Sequence, residues 1–211
     1  MVRRASKKKK DKPTREVRKV ILVSAEGMNK TERTYFAEFN RLQKDYHIVF
    51  ATGNSTDPVN IVSEAIDGVT KNGLNLKQGD IACAVFDVDF GKERKINEAR
   101  QIAKKAGVKV ILSNPCFEVW LLQHYRYSTR GYLSNEAVID DLLGCWPEYR
   151  KSIGSYQNIV DKTYDAIENA GKLRAYHDSL YASVNAEERN PSTDVDELIR
   201  TILNLVHEKE G

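Results

Sequence analysis

Cysteine is scarce in this sequence, and the three cysteines present form no recognisable pairing or metal-binding pattern. No CxxC pair and no Cys/His ligand spacing occurs, which argues against a structural zinc site and against a disulfide-rich scaffold. Cys83 lies in an apolar stretch and is predicted to be a small buried side chain rather than a ligand. This cysteine usage fits a reducing compartment, so we expect a cytoplasmic protein.

Long apolar runs and a P-loop are also missing. No run approaches the roughly 18–20 apolar residues that span a bilayer. No apolar segment follows the basic N-terminal residues as it would in a secretory signal, so we expect no association with a membrane. The pattern GxxxxGK[ST] does not occur, and the chain is therefore not expected to hydrolyse ATP by that route.

Positive charge is concentrated at the N-terminus. Residues 1–19 contain ten Lys or Arg against two acidic residues, a net charge of +8, although the whole chain carries only +3. Residues 1–15 have almost no apolar surface to bury and are predicted to be a disordered basic tail. Such a tail either attracts phosphate backbones or an acidic partner, or only increases solubility.

Four short apolar runs alternate with helical patterns between residues 16 and 125. The runs are VILVSA, HIVFAT, IACAVFDVD and VKVILS, and apolar residues recur at helical spacing between them. This order predicts an α/β core with a parallel four-stranded sheet flanked by helices. Residues 126–211 contain further helical patterns, two of them over 156–169 and 172–181, and no clear strand. They are predicted to form a helical extension packed on the core.

Carboxylates follow two of the four predicted strands. Glu26 follows the first strand, and Asp87 and Asp89 end the third, on the same side of that strand. A strand order of 2-1-3-4 would bring all three together, because sites in open α/β sheets lie at the carboxyl ends of the strands. Converging carboxylates are typical ligands of Mg²⁺ or Mn²⁺, which would offset their mutual repulsion. In the alternative interpretation, Asp87 and Asp89 only cap the next helix.

Two further glutamates are candidates for the same site. Glu118 opens the apolar stretch EVWLL, where a charged residue needs a partner. That partner is a metal, a basic side chain, or the free N–H groups at a helix N-terminus. Glu32 follows a predicted helix-capping residue, Thr31, and either favours the first turn of that helix or assists the metal site.

Several basic and polar residues close to the same loops are candidates for substrate binding. They are Lys30, Lys92, Arg94 and Asn114. For the three basic residues the alternative is a solvated surface position, and for Asn114 it is a turn before Pro115. His124 is either a histidine at the end of a helix or a catalytic group. Trp120 and Tyr35 are predicted to be core residues rather than base-stacking platforms.

Three stretches resemble a known family. They are EGMNKTERTYF from Glu26 to Phe36, SNPCFEVWLL from Ser113 to Leu122, and NPST from Asn190 to Thr193. Glu-Gly after the first strand, with Asp-x-Asp after the third, resembles the Toprim pattern of topoisomerases, primases and OLD-type nucleases. More narrowly, the chain is similar to the RloB family, whose members resemble Toprim proteins and occur in restriction and phage-defence loci.

The resemblance implies a Toprim-like, magnesium-dependent endonuclease that cleaves DNA or RNA in antiviral defence, beside an ATPase partner of the AAA or ABC type. By the same resemblance, Glu26 is a metal ligand or general acid/base, and Asp87 and Asp89 hold magnesium. Glu118 is a fourth catalytic candidate because it follows the fourth predicted strand, on the same side of the sheet as the others. We also expect a homodimer. The competing interpretation is a non-catalytic subunit that binds nucleic acid or a nucleotide and regulates a defence ATPase.

Overall fold

The chain has an α/β fold in which helices cover a five-stranded sheet. The computed structural model describes residues 18–27, 31–42, 45–88, 92–151, 156–180 and 188–207. The strands are β1 (Lys19–Ala25), β2 (Tyr46–Phe50), β3 (Ile81–Asp87), β4 (Lys109–Asn114) and β5 (Ser192–Thr193). The α-helices are α1 (Thr31–Leu42), α2 (Pro58–Lys71), α3 (Glu93–Ala106), α4 (Glu118–Gln123), α5 (Asn135–Cys145), α6 (Gln157–Val160), α7 (Thr163–Leu180) and α8 (Val195–His207).

The strand order is β2-β1-β3-β4-β5. The first four strands are parallel, in the order that was predicted. The prediction of a four-stranded sheet was wrong, because β5 pairs antiparallel with β4, with Thr193 opposite Ser113. A strand of two residues is too short to show the alternating pattern by which strands are predicted from sequence.

Both faces of the sheet are buried, which explains the nearly continuous apolar runs. Side chains alternate along β1, so Ile21 and Val23 enter one core layer while Leu22 enters the other. The first layer contains apolar residues of α1, α4, α5, α7 and α8. The second layer lies under α2 and α3. Cys83 is buried and free, as predicted.

The helix boundaries follow local chemistry. The carboxylate of Asp57 accepts a hydrogen bond from Val59 N at 3.1 Å, and Pro58 occupies the first turn of α2, where a missing N–H costs nothing. Helix α3 ends at Gly107, whose φ of 73° is in the left-handed region that glycine adopts readily.

The region predicted as two helices over 156–169 and 172–181 is organised differently. A single helix, α7, runs through Gly171, and the short α6 precedes it. Glycine weakens a helix interior by about 1 kcal/mol but does not end it when the neighbouring residues are packed. Ala170 and Leu173, on either side, are both buried.

None of the helices within these described ranges is both long enough and apolar enough to cross a membrane.

Candidate functional site

Three of the predicted site residues lie at the carboxyl edge of the sheet. Glu26 directly follows β1, and Asp87 is the last residue of β3. The two strands are neighbours, with Ala25 opposite Val85. Glu118 begins α4, just after β4, and is 1% exposed. The sheet topology therefore brings together carboxylates that are far apart in the sequence.

Asp87 lies at the centre of this arrangement. Desolvation raises the pKa of its carboxyl group well above the ordinary value, and the negative charges of Glu32, Glu118 and Glu26 raise it further, while Lys151 opposes them. The N–H group of Phe117 donates to Asp87 Oδ1 at 2.9 Å. We call these four carboxylates, Glu26, Glu32, Asp87 and Glu118, the acidic cluster.

Glu32 belongs to the acidic cluster although it does not follow a strand. It is the second residue of α1 and is 3% exposed. Tyr35 and Phe36, three and four residues further on, are fully buried, so Glu32 lies on the inward face of the same helix. That spacing was visible in the sequence and favours a position in the site over a solvated first turn.

The extension contributes two residues that the sequence did not indicate. Tyr149 donates its hydroxyl proton to Glu118 Oε1 at 2.7 Å. Because that proton is committed, Thr31 is the donor in the 3.3 Å contact between its hydroxyl and that of Tyr149. Burial, followed by the charge of Glu118, raises the pKa of Tyr149, so the phenol stays protonated. The second residue, Lys151, places its Nζ 3.7 Å from Glu118 Oε1.

The described residues that were predicted to bind substrate lie in different parts of the fold. Asn114 is the last residue of β4, is 7% exposed and pairs with Ser192 of β5. Lys92 donates from Nζ to Thr56 O at 3.2 Å in the loop after β2, and Arg94 is exposed on α3. The predictions for Asp89, Lys30 and the tail of residues 1–15 fall outside the described residues.

Two of the stretches that carry the family resemblance meet at β4 and β5. Ser113 Oγ and Thr193 Oγ1 are 2.9 Å apart and both buried, and Asp194 N donates to Leu112 O at 2.8 Å. The peptide bonds Asn114–Pro115 and Asn190–Pro191 are both cis. The NPST stretch is thus more than a helix start, since it adds β5 to the sheet beside the strand that leads to Glu118.

His124 lies beneath the site in an aromatic layer. Its Nδ1–H donates to Trp120 O at 3.1 Å, and its Nε2 accepts from the Tyr35 hydroxyl at 3.3 Å. Burial lowers the pKa of His124 to about 4, so the ring is neutral near pH 7. The interpretation of His124 as a histidine at the end of a helix is confirmed. Trp120 and Tyr35 are fully buried core residues, as predicted.

The chemistry of the acidic cluster suits a hard divalent cation. Within the ranges that the structure describes, no three Asp, Glu, His or Cys side chains form a group that could hold a metal ion as they stand. The donor set nevertheless consists of carboxylate oxygens, which Mg²⁺ and Mn²⁺ prefer, and its crowding raises the pKa of Asp87. Glu26 and Asp87 are the residues that would hold such an ion.

Comparison with known proteins gives one match. A family model described as RloB-like protein matches residues 21–202, which include most of β1, all of β2 to β5 and all four carboxylates of the acidic cluster. No curated protein and no solved structure matches the chain.

Proposed function

The chain belongs to the RloB-like family, and from that premise and the acidic cluster we propose that it is a metal-dependent nuclease that cleaves phosphodiester bonds in DNA or RNA. The observation that carries the proposal is the placement of Glu26, Asp87 and the buried Glu118 at the carboxyl ends of β1, β3 and β4. Burial and the charges of Glu32, Glu118 and Glu26, which raise the pKa of Asp87, support it. Mutual repulsion between such carboxylates destabilises the folded protein unless a cation offsets it. A divalent cation held by carboxylates at the strand ends would supply the charge neutralisation that phosphoryl transfer requires.

The proposed roles follow from the position of each side chain. Glu26 and Asp87 would hold Mg²⁺ or Mn²⁺, and Asp89, which lies outside the described residues, is proposed as a further ligand on the family resemblance. When bound, the ion would activate a water molecule and neutralise charge on the phosphoryl oxygens. The N–H group of Phe117 fixes the orientation of the Asp87 carboxylate. Asn114, buried at the end of β4, is proposed to orient the substrate.

Glu118 is proposed to act as a general acid/base or as an additional ligand. Its Oε1 atom is held by Tyr149 and faces Lys151, so the carboxylate has a defined orientation without direct exposure to solvent. Because a bound phosphodiester would lie outside the strand ends, Glu118 would approach it from the α4 side, opposite Glu26. A role in antiviral defence and an ATPase partner are parts of the same proposal, supported by the family resemblance. A homodimer is also proposed, on the small size and acidic body of the chain.

Cleavage assays with matched variants test this function. Single- and double-stranded DNA and total RNA are incubated with Mg²⁺ or Mn²⁺ and wild type, Glu26→Gln, Asp87→Asn or Glu118→Gln. The control is Asp67→Asn, which changes an exposed carboxylate of α2. We expect each site variant to lose roughly 100-fold or more of the cleavage rate, with the fold intact by circular dichroism, and the control to retain it.

The outcomes separate the two interpretations. Loss of cleavage in the three site variants alone would support the nuclease and identify its substrate class. If the wild-type protein cleaves none of these substrates, alone or with an ATPase partner, the nuclease proposal is wrong. The chain would then be better described as a regulatory subunit that binds nucleic acid or a nucleotide.

A further inference from the structure

Lys151 is a cation directed at the acidic cluster from the extension. Its Nζ lies 3.7 Å from Oε1 of the buried Glu118. Partial desolvation lowers the pKa of Lys151, but Glu118, Asp87, Cys116 and Glu32 outweigh it, and the pKa is raised overall. The ammonium group is therefore charged at neutral pH and interacts with three of the four carboxylates.

Lys151 follows a buried, hydrogen-bonded residue closely in the chain, but its own side chain is half exposed. Tyr149, two residues earlier, is 2% exposed and is anchored through its hydroxyl to Glu118 and Thr31. The Lys151 side chain, in contrast, is 47% exposed. Its contact to Glu118 is longer than the 2.7–2.9 Å of a strong charge-assisted hydrogen bond. The ammonium group has three donors on a flexible stem, so it retains donors for a further acceptor.

We propose that Lys151 is a substrate-contacting residue, which faces Glu118 in the free protein and donates to a non-bridging phosphate oxygen when a phosphodiester binds at the acidic cluster. This inference rests on the proposed function, and it names the residue that recognises the phosphate. A divalent ion on Glu26 and Asp87 would compete with the ammonium group for the same negative charge. Lys151 would then be released toward the substrate.

Two properties distinguish this role from a structural one. Removing a charge-assisted contact to substrate phosphate reduces kcat/KM by about 10- to 100-fold. Removing a competing cation strengthens the binding of a divalent ion, by roughly three- to tenfold for a charge at this distance in a partly exposed site. A lysine that only paired with Glu118 would produce the gain in metal affinity without the loss of substrate binding, and only the two effects together support a contact to substrate phosphate.

The experiment compares wild type with Lys151→Met, Lys151→Arg and the control Lys172→Met. Lys172 is an exposed lysine of α7 that pairs with Glu168 at 2.6 Å, so its substitution removes a charge elsewhere in the extension. Mn²⁺ binding is measured by calorimetry without nucleic acid. Affinity for labelled DNA and RNA oligonucleotides is measured by anisotropy in Ca²⁺, and kcat and KM are measured on the cleaved substrate.

We expect Lys151→Met to bind Mn²⁺ more tightly and nucleic acid more weakly, and to lose kcat/KM. Lys151→Arg should remain close to wild type, and Lys172→Met should match it. Unchanged nucleic-acid affinity and unchanged kcat/KM in Lys151→Met would overturn the inference while leaving the nuclease intact. If the wild type does not cleave, the nuclease proposal fails, and the affinity for oligonucleotides still decides whether Lys151 contacts phosphate.

Discussion

His124 should make the free energy of unfolding sensitive to mild acid, and a single substitution of this residue should remove that sensitivity. The ring is 2% exposed and accepts a hydrogen bond from the Tyr35 hydroxyl through Nε2 while its Nδ1–H donates to Trp120 O. Protonation would place a proton on the nitrogen that must accept. Burial of the ring disfavours its charged form in the folded protein, and the pKa of His124 falls from the ordinary 6.5 to about 4.

The magnitude follows from the difference between the folded and unfolded pKa of His124. A pKa that falls from 6.5 to about 4 corresponds to about 3 kcal/mol of stability. Because the unfolded state binds the proton first, this contribution is fully present above pH 6.5. It is lost progressively as the pH falls from 6.5 through 4, and the loss is complete below that range.

The assay is urea unfolding at several pH values from 7 to 4, with wild type, His124→Gln and His47→Gln. Glutamine does not titrate and keeps one donor and one acceptor, whereas His47 is an exposed residue of β2 and serves as the control. We expect the free energy of unfolding of wild type and His47→Gln to fall by about 3 kcal/mol more than that of His124→Gln over this range. Equal losses in all three proteins would refute the assigned neutral tautomer and its hydrogen bonds.

Two further predictions concern the carboxylates of Asp87 and Asp196. Asp87→Asn should raise the melting temperature by a few degrees at neutral pH in EDTA. The pKa of Asp87 is raised in the folded state, so at a pH above the unfolded pKa its ionised form destabilises the folded protein. A melting temperature equal to that of Asp67→Asn would contradict this. Asp196→Asn should lower the free energy of unfolding, measured in urea, by about 3 kcal/mol. The reason is that fully buried Asp196 pairs with Arg174 at 2.6 Å and with Arg200 at 3.5 Å. A loss no larger than that of the exposed Asp165→Asn would show that these ion pairs do not stabilise the fold.

The fold was largely predictable because its signals are local. Apolar runs such as that of β1 report burial on both faces of the sheet, and the caps at Asp57 and Gly107 mark helix ends within a few residues. The missed features depend on tertiary packing. The strand β5 is too short for a pattern, and α7 continues through Gly171 because its neighbours are buried.

The site was predictable where the sheet topology or local helical spacing determines the position of a residue. Glu26 and Asp87 follow strands, so topology alone places them at one edge. Tyr149 is 31 residues from Glu118 in a stretch, WPEYRK, whose composition is that of an ordinary exposed turn. No local sequence pattern predicts that such a turn contacts Glu118, so Tyr149 and Lys151 could be identified only from the structure.

The most direct test of the acidic cluster is the initial rate of nucleic-acid cleavage as a function of Mn²⁺ concentration for wild type, Asp87→Asn and Asp67→Asn. We predict a saturable dependence on Mn²⁺ for wild type and Asp67→Asn, and no cleavage above background at any concentration for Asp87→Asn. Cleavage by Asp87→Asn at the wild-type rate, with the same dependence on Mn²⁺, would contradict the assignment of the site.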